Sequence, residues 1–287
     1  MRFKTSELDK SIVIPFIQNS LKEDVGDGDH TSLATISKGA TVKAKLLVKD
    51  SGILAGVELA VEIFHTVDPD LKLFVFLNDG SAVKPGDVAF EVEGSAVSIL
   101  TAERLVLNCM QRMSGIATKT REIADLLKGT KTQVLDTRKT TPGMRYLEKW
   151  AVRIGGGVNH RFGLYDMILI KDNHVDYSGG IKEAIEKTHQ YLARRNKKLA
   201  IEIEVRNFAE LTQVLATGGV DRILLDNFNF ADLREAAKII NNRYVTEASG
   251  GITIENIREY AECGVDYISV GALTHSVKSL DLSLKAV

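Results

Sequence analysis

The N-terminal part of the chain shows strand-like and helical patterns of hydrophobic residues in turn. Between Thr41 and Lys49, apolar residues at every second position alternate with lysines. This is the period of a strand with one solvent-facing side. Two further strands are predicted over 71–77 and 88–93, and the apolar residues of 57–64 recur at helical spacing. Strands with a helix between them predict an α+β first domain.

Two helical patterns follow, over 98–113 and 116–128, with Ser114 and Gly115 between them. Because glycine is a poor helix former, we predict that the helix breaks at this pair. The domain boundary is placed at the same point. The predicted parts are a first domain, a second domain and a C-terminal tail that packs on the first: 1–115, 116–275 and 276–287.

The second domain repeats a strand-then-helix unit. Its candidate strands are 133–137, 167–170, 199–205, 222–225, 244–247 and 267–270. This alternation predicts an α/β domain with a parallel sheet, although spacing alone does not separate a closed barrel from an open sheet. A barrel is favoured because almost every strand ends in a polar residue, and barrel enzymes build their sites from many strand ends.

Composition restricts the classes of partner and compartment. The 287 residues are 44% hydrophobic and carry a net charge of -1, so the overall field will not attract nucleic acid. Cys109 and Cys263 lie in apolar contexts without metal-binding spacing, which favours buried thiols in a reducing compartment. No signal peptide or membrane-spanning segment is recognisable, and we expect a cytoplasmic protein.

Carboxylates at strand ends are the first candidate for chemistry. The strand at 199–205 has its apolar residues on one face and Glu202 with Glu204 on the other, so both carboxylates should point into the barrel, with Glu204 nearer its mouth. Asp226 ends the next strand. Neighbouring buried carboxylates need a cation between them, and Mg²⁺ suits all-oxygen ligands. The alternative is a salt bridge to Lys139 or Lys171 without a metal.

Cations gather at other strand ends. They are Arg138, Lys139, His160, Arg161 and Lys171. Arginine recognises carboxylate or phosphate through two parallel hydrogen bonds, whereas lysine acts as a point charge. A solvated protein face does not explain five cations at one barrel mouth, so we predict an anion site.

Two glycine turns follow the last strands. Ser249, Gly250 and Gly251 form the first, and Gly271 to His275 contains the second. Glycines let backbone N–H groups approach a phosphate, and the last strands of a barrel are a recurring phosphate site.

Other familiar signals are absent from the sequence. It contains neither GxxxxGK[ST] nor a GxGxxG after a first strand, which excludes the commonest nucleotide-binding motifs. His160 and His174 lack the spacing of a zinc motif, and neither serine nor cysteine lies in a nucleophile elbow. The residues favour electrostatic handling of a polyanion over covalent catalysis.

These motifs together resemble those of the quinolinate phosphoribosyltransferases, also called nicotinate-nucleotide pyrophosphorylases (carboxylating). The resemblance covers nearly the whole chain and rests on 102–105, 111–118, 136–145, 148–149, 155–157, 160–161, 171–174, 204–205, 225–228, 249–251 and 271–275. It implies an N-terminal α/β sandwich and an incomplete, about seven-stranded α/β barrel. It also implies transfer of phosphoribosyl from phosphoribosyl pyrophosphate to quinolinate with decarboxylation, a step of NAD biosynthesis, in a homodimer with shared active sites.

The resemblance assigns a role to each site residue. Arg104 of the partner subunit, Arg138, His160 and Arg161 would bind the two carboxylates of quinolinate. Lys139 and Lys171 would contact phosphoribosyl pyrophosphate, and Glu204 with Asp226 would hold Mg²⁺ or the ribose hydroxyls. The 5-phosphate would lie against Ser249, Gly250, Gly251, Gly271 and His275.

Two alternatives stay open at this stage. One is a barrel of the same superfamily that uses another acceptor; the intact Lys171 to His174 and Asp136 to Arg138 motifs favour quinolinate instead. The other is a non-catalytic protein that binds a phosphorylated metabolite. Such a protein could lose its carboxylates, whereas this chain retains Glu204 and Asp226.

Overall fold

A computed structural model describes residues 8–287. The first elements are α1 Lys10–Val25, α2 His30–Thr35, β1 Thr41–Val48, β2 Gly52–Ile53, α3 Val57–Val67, β3 Lys72–Val75, β4 Ala82–Val83, β5 Val88–Ser95, α4 Ala96–Leu126, β6 Gln133–Leu135 and α5 Arg145–Gly155. The others are β7 Ile168–Ile170, α6 Asp172–Ser178, α7 Ile181–Arg195, β8 Ile201–Val205, α8 Phe208–Thr217, β9 Arg222–Asp226, α9 Phe230–Ile240, β10 Val245–Ser249, α10 Ile257–Glu262, β11 Tyr267–Ser269, α11 Ala272–His275 and β12 Leu282–Ala286. In the described part of the chain, every helix is too short or too polar to cross a membrane.

The chain forms two compact units. Unit 1 comprises the described residues up to Arg121, Thr140–Gly156 and Leu273–Val287, and unit 2 comprises Glu122–Lys139 and Gly157–Ala272.

Unit 1 contains a four-stranded antiparallel sheet in the order β12-β1-β5-β3. Along β1, buried Ala44, Leu46 and Val48 alternate with more exposed residues, as the period-2 pattern predicts. Phe64 of α3 meets Phe90 of β5 edge to face, with ring centroids 6.0 Å apart. The sheet also takes the last strand of the chain, because β12 pairs with β1.

The predicted helix break at Ser114 and Gly115 is wrong, because α4 runs without interruption from Ala96 to Leu126. The hydroxyl of Ser114 accepts the backbone N–H of Ala55 at 2.9 Å and donates to the carbonyl of the same residue at 3.1 Å. A Cβ at position 115 would collide with the backbone carbonyl of Lys278. The two small residues therefore serve close packing, at a modest cost in helix propensity.

Unit 2 contains a six-stranded parallel sheet in the order β6-β11-β10-β9-β8-β7. Each strand predicted for this region is present, with bounds shifted by at most two residues. Val158 adds one parallel bridge beside Leu135 of β6. The expected incomplete barrel of about seven strands thus consists of six strands and a single bridge.

Candidate active site

The carboxyl ends of the unit 2 strands carry most of the predicted site. Lys171 follows β7 directly, Glu204 is the penultimate residue of β8, Asp226 ends β9 and Ser249 ends β10. Because all these strands are parallel neighbours, their last residues meet at one edge of the sheet. This edge is the geometric basis of the site.

Asp136 organises the segment that carries His160 and Arg161. Its side chain is fully buried directly after β6. One carboxylate oxygen accepts the backbone N–H of His160 at 2.9 Å, and the other accepts the Asn159 side-chain amide at 2.5 Å. A buried carboxylate with these donors fixes the path of the loop.

Two predicted carboxylate-binding arginines lie close enough for the charge of Arg138 to act on Arg161. The pKa of Arg161 is lowered, first by burial and then by the positive charge of Arg138, while Glu202 and Asp166 oppose the shift. Arg161 also donates to the carbonyl of Met167 at 3.2 Å, which orients its guanidinium. Two like charges held together in a partly buried place favour an anionic ligand.

Lys171 and Glu204 form an ion pair at the barrel mouth, with 3.8 Å between Nζ and Oε2. Burial raises the pKa of the Glu204 carboxyl; Lys171 opposes the shift, and the charge of Asp226 adds to it. The salt-bridge alternative is therefore present for Glu204, although its carboxyl pKa stays raised in spite of Lys171. His174 supports the turn, since its Nδ1 accepts the backbone N–H of Lys171 at 3.0 Å.

The loops after β9 and β10 are locked together around Asp226. Its carboxylate accepts the Ser249 hydroxyl and the Asn227 side-chain amide, each at 2.6 Å. The backbone N–H of Asn227 donates to the carbonyl of Ser249 at 2.9 Å. Gly250 has φ +92, and a Cβ there would collide with the Asn227 side chain. This close approach explains the glycine after Ser249.

A second, deeper cluster lies inside the sheet. Nε2 of His160 is 2.9 Å from Glu202 and 3.6 Å from Glu247, and Arg222 donates to Glu247 at 2.9 Å. Side chains of Glu202 and Glu247 are 0% and 1% exposed, whereas that of Glu204 is 12% exposed. Strand alternation thus sets Glu202 below Glu204, as the sequence pattern predicts.

The deeper cluster is a poorer magnesium site than the pair at the barrel mouth. His160, Glu202 and Glu247 each offer one ligand atom, and these atoms lie within 4.8 Å of one another. However, the set includes a nitrogen, and the Arg222 guanidinium already occupies Glu247. Glu204 and Asp226 offer oxygen only, and burial together with the charge of Asp226 raises the pKa of Glu204. The chemistry of Mg²⁺ fits that pair better.

Four other predicted site residues lie outside these clusters. Gly271 follows β11, and His275 is exposed at the end of α11 with its Nδ1 2.7 Å from the Ser276 hydroxyl. Arg104 is exposed on α4 of unit 1. Lys139 is exposed after a turn in which its N–H donates to the Thr137 hydroxyl at 3.0 Å.

Sequence reasoning gave no role to Asp136, Arg222 or Glu247. Asp136 belongs to a recognised motif, so its place directly after a buried strand was the available signal. Glu247 is the only charged residue of β10, which marks it as a buried functional or structural group. Arg222 is the first residue of β9. No local sequence pattern shows that its side chain contacts carboxylates on both neighbouring strands, Glu202 and Glu247.

Family models match almost the whole chain. Residues 29–114 match the N-terminal domain of quinolinate phosphoribosyl transferase, and residues 116–285 match its C-terminal domain. The chain belongs to the quinolinate phosphoribosyltransferase family. The family resemblance inferred from the sequence motifs is confirmed.

Relatives agree with this family assignment. The chain is 47% identical over 284 residues to quinolinate phosphoribosyltransferase [decarboxylating] 1b of Nicotiana tabacum, covering 94% of this chain and 81% of that protein. It is 44% identical to the probable nicotinate-nucleotide pyrophosphorylase [carboxylating] of Bacillus subtilis (strain 168), covering 91% and 89%.

A solved structure extends the agreement to the fold. The nicotinate-nucleotide pyrophosphorylase of Francisella tularensis has a TM-score of 0.92, 37% sequence identity and 100% coverage of both chains. The predicted α/β class, with an incomplete barrel and an N-terminal sandwich, is confirmed for this member of the quinolinate phosphoribosyltransferase family.

Proposed function

We propose that this chain catalyses the decarboxylating quinolinate phosphoribosyltransferase reaction. Phosphoribosyl passes from phosphoribosyl pyrophosphate to quinolinate, and the products are nicotinate mononucleotide, carbon dioxide and pyrophosphate. Family membership supports this assignment. The structural observation that carries it is the proximity of Arg138 to Arg161, whose pKa is lowered by burial and by the charge of Arg138.

The arginine pair suits a dicarboxylate. Each guanidinium offers a planar fork that matches one carboxylate, and two forks match two neighbouring carboxylates on one ring. A bound dianion would neutralise both arginines and relieve their repulsion. His160, held by Asp136, and Arg104 of the partner subunit complete the proposed quinolinate-binding set.

The carboxylates and lysines suit the phosphoribosyl donor. Displacement of pyrophosphate builds positive charge on the ribose carbon and negative charge on the leaving group. Glu204 and Asp226 at neighbouring strand ends can stabilise the first, and Lys139 and Lys171 the second.

Glu204 and Asp226 would also hold Mg²⁺ or the ribose hydroxyls. When bound, Mg²⁺ supplies charge neutralisation for the pyrophosphate oxygens. The proposed Mg²⁺ site rests on the all-oxygen donor set and on the charge of Asp226, which helps to raise the pKa of Glu204.

The glycine turns suit the 5-phosphate. Ser249 and Gly250 are held by the interlocked β9 and β10 loops. Gly251 has φ +62 and open space where a side chain would begin. These features leave backbone N–H groups accessible to an anion, and Gly271 and His275 are proposed to contribute from the last turn.

Decarboxylation needs little from the protein once the new bond exists. The ribosylated pyridine nitrogen is cationic, so the ring stabilises the carbanion left by the departing carbon dioxide. We therefore propose that the residues at this site bind and orient the carboxylates, and that the ring provides the electron sink.

We also propose a homodimer in which Arg104 completes the partner's site. Leu100, Arg104 and Asn108 form one exposed stripe along α4, four residues apart. Such a stripe presents an arginine beside an apolar side chain, as interfaces commonly do. For the compartment we propose the cytoplasm, where the buried thiols Cys109 and Cys263 stay reduced.

An acceptor comparison tests the proposed function. Purified protein with phosphoribosyl pyrophosphate and Mg²⁺ is given quinolinate or nicotinate, and the mononucleotide is measured. Product from quinolinate only is expected, because nicotinate leaves one arginine without its carboxylate. Product from nicotinate at an equal or higher rate would refute the assignment.

Mixed dimers test the shared site. Arg104→Ala should lose quinolinate affinity, and mixing it with Glu204→Gln should restore part of the activity through one intact hybrid site. No regained activity in mixed dimers would contradict the contribution of Arg104 to the partner's site.

A further inference from the structure

Glu247 lies in the middle of β10, between β9 and β11. Its side chain is on the buried face of the sheet that also carries Glu202. Its strand partners are Leu224 on one side and Tyr267 on the other. Because side chains alternate along a strand, Glu247 and Ser249 share one face, with Glu247 one layer deeper. It is therefore placed below the proposed phosphate turn and has no direct access to solvent, with 1% of its side chain exposed.

The groups around Glu247 come from every neighbouring element. They are His160 from the loop before β7, Glu202 of β8, Arg222 of β9 and Ser269 of β11. Arg222 is fixed from its other side by the Tyr267 ring, whose centroid is 4.7 Å from the guanidinium carbon.

The His160 ring is held from both of its nitrogens. Nδ1 accepts the backbone N–H of Arg161 at 2.6 Å, so the ring hydrogen belongs on Nε2. Nε2 lies within ion-pair distance of both carboxyl groups, 2.9 Å from Glu202 and 3.6 Å from Glu247. The carboxyl pair thus lies against one ring nitrogen, and the other ring nitrogen holds the backbone of Arg161.

The charges of the cluster balance if the carboxyl pair keeps one proton. Two carboxylates against the single guanidinium of Arg222 would leave a buried negative charge, which is costly. Burial, followed by the charge of Glu202, raises the pKa of Glu247 to about 7. A protonated Glu247 can donate to Glu202, which leaves Glu202 free to accept from His160.

We propose that Glu247 is a positioning residue for quinolinate binding, which acts by holding Glu202 and the His160 ring so that Arg161 presents its guanidinium to the substrate. This inference rests on the proposed function. Glu247 should affect binding of the acceptor more than binding of the donor. It contacts His160, which in turn contacts Arg161, whereas the proposed donor-binding residues lie at the strand ends above it.

Steady-state kinetics of two variants tests the proposal. Glu247→Leu removes the hydrogen-bonding carboxyl and should raise the KM for quinolinate about tenfold or more, with the KM for phosphoribosyl pyrophosphate nearly unchanged. Glu247→Gln keeps the shape and a donor, and should stay within about threefold of wild type. A matched control is Thr246→Val, since Thr246 is buried on the opposite face of β10 and bonds Asp266; its quinolinate KM should not change.

Equal rises in both KM values, or an unchanged quinolinate KM in Glu247→Leu, would overturn the positioning role.

A second experiment applies if Glu247→Leu fails to fold: the quinolinate affinity of wild type and of Glu247→Gln is measured as a function of pH. Quinolinate affinity of wild type should fall as pH rises through about 7, where Glu247 gains a negative charge beside His160, and Glu247→Gln should not share that fall. Parallel profiles would overturn the proposal. An inactive wild type would instead contradict the proposed function, which keeps the two failures distinct.

Discussion

Arg112 and the buried Glu148 form an ion pair that connects two segments next to predicted substrate-binding residues. Nε and Nη2 of Arg112 both lie 2.8 Å from one oxygen of Glu148, whose side chain is 0% exposed. Arg112 also donates to the Thr274 carbonyl at 2.6 Å, and the other oxygen of Glu148 accepts the Thr141 N–H at 3.1 Å. Thr141 follows Lys139 by two residues, and Thr274 precedes His275.

Arg112→Lys should therefore reduce both stability and activity. Lysine cannot reproduce the fork, so Glu148 would lose one of its buried donors, at a cost of about 1–3 kcal/mol. We expect urea unfolding to show this loss and kcat/KM to fall about tenfold. Lys182→Ala, which breaks the exposed pair with Glu186, is the control and should change stability by less than about 0.5 kcal/mol. A small loss of stability in Arg112→Lys, similar to that in Lys182→Ala, would contradict a stabilising role of the Arg112–Glu148 ion pair.

Glu204→Gln should weaken the dependence on Mg²⁺ more than the binding of quinolinate. The variant keeps the side-chain shape but removes the negative charge of residue 204, which lies near the charge of Asp226. The Mg²⁺ concentration for half-maximal rate should rise and kcat should fall about 100-fold, while quinolinate binding measured by calorimetry stays close to wild type. Glu235→Gln, an exposed residue of α9, serves as the control. An unchanged Mg²⁺ requirement in Glu204→Gln would remove this residue from the proposed metal site.

Gly250→Ala should impair use of the phosphoribosyl donor. The added Cβ would collide with the Asn227 side chain, in a backbone region that L-residues rarely adopt. The KM for phosphoribosyl pyrophosphate should rise about tenfold or more. Gly129→Ala is matched to it, since Gly129 has φ +83 but open space around it, and it should lose only about 1 kcal/mol of stability with unchanged KM values. Equal effects of the two substitutions on KM would argue against a phosphate turn at Gly250.

The alternation of residues and the polar strand ends were enough to predict much of the molecule. Glu202 and Glu204 follow their strand pattern, and the parallel order of the strands brings Lys171, Glu204 and Asp226 to one edge. Local sequence patterns gave a wrong prediction where tertiary packing determines the structure, at the predicted helix break. The helix continues through Ser114 and Gly115 because both contact distant backbone, which no helix propensity records.

The deeper cluster shows a second limit of sequence reasoning. Arg222, Glu247 and His160 are far apart in sequence and meet only because β9 and β10 are neighbours and Asp136 fixes the His160 loop. Each residue alone is compatible with an ordinary salt bridge. Their shared burial, and hence the raised pKa of Glu247, depends on the tertiary arrangement.

Stability should depend on pH through Glu247. Its pKa is raised from 4.5 to about 7 by burial and by Glu202. A raised carboxyl pKa contributes stability that is fully present below about pH 4.5 and is lost as pH rises through about 7. The free energy of unfolding of wild type should thus fall relative to Glu247→Gln across this range, by up to about 3 kcal/mol. Urea unfolding at several pH values measures it, with exposed Glu186→Gln as the control. A constant difference between wild type and Glu247→Gln would contradict the shift.

The coupling of phosphoribosyl transfer to decarboxylation is the central claim, and the stoichiometry of labelled carbon dioxide tests it most directly. Quinolinate carrying a label in the carboxyl group next to the ring nitrogen is incubated with the protein, phosphoribosyl pyrophosphate and Mg²⁺. One labelled carbon dioxide for each nicotinate mononucleotide, and none when phosphoribosyl pyrophosphate is omitted, is the predicted result. Carbon dioxide release without the donor, or a mononucleotide that retains the label, would contradict the account.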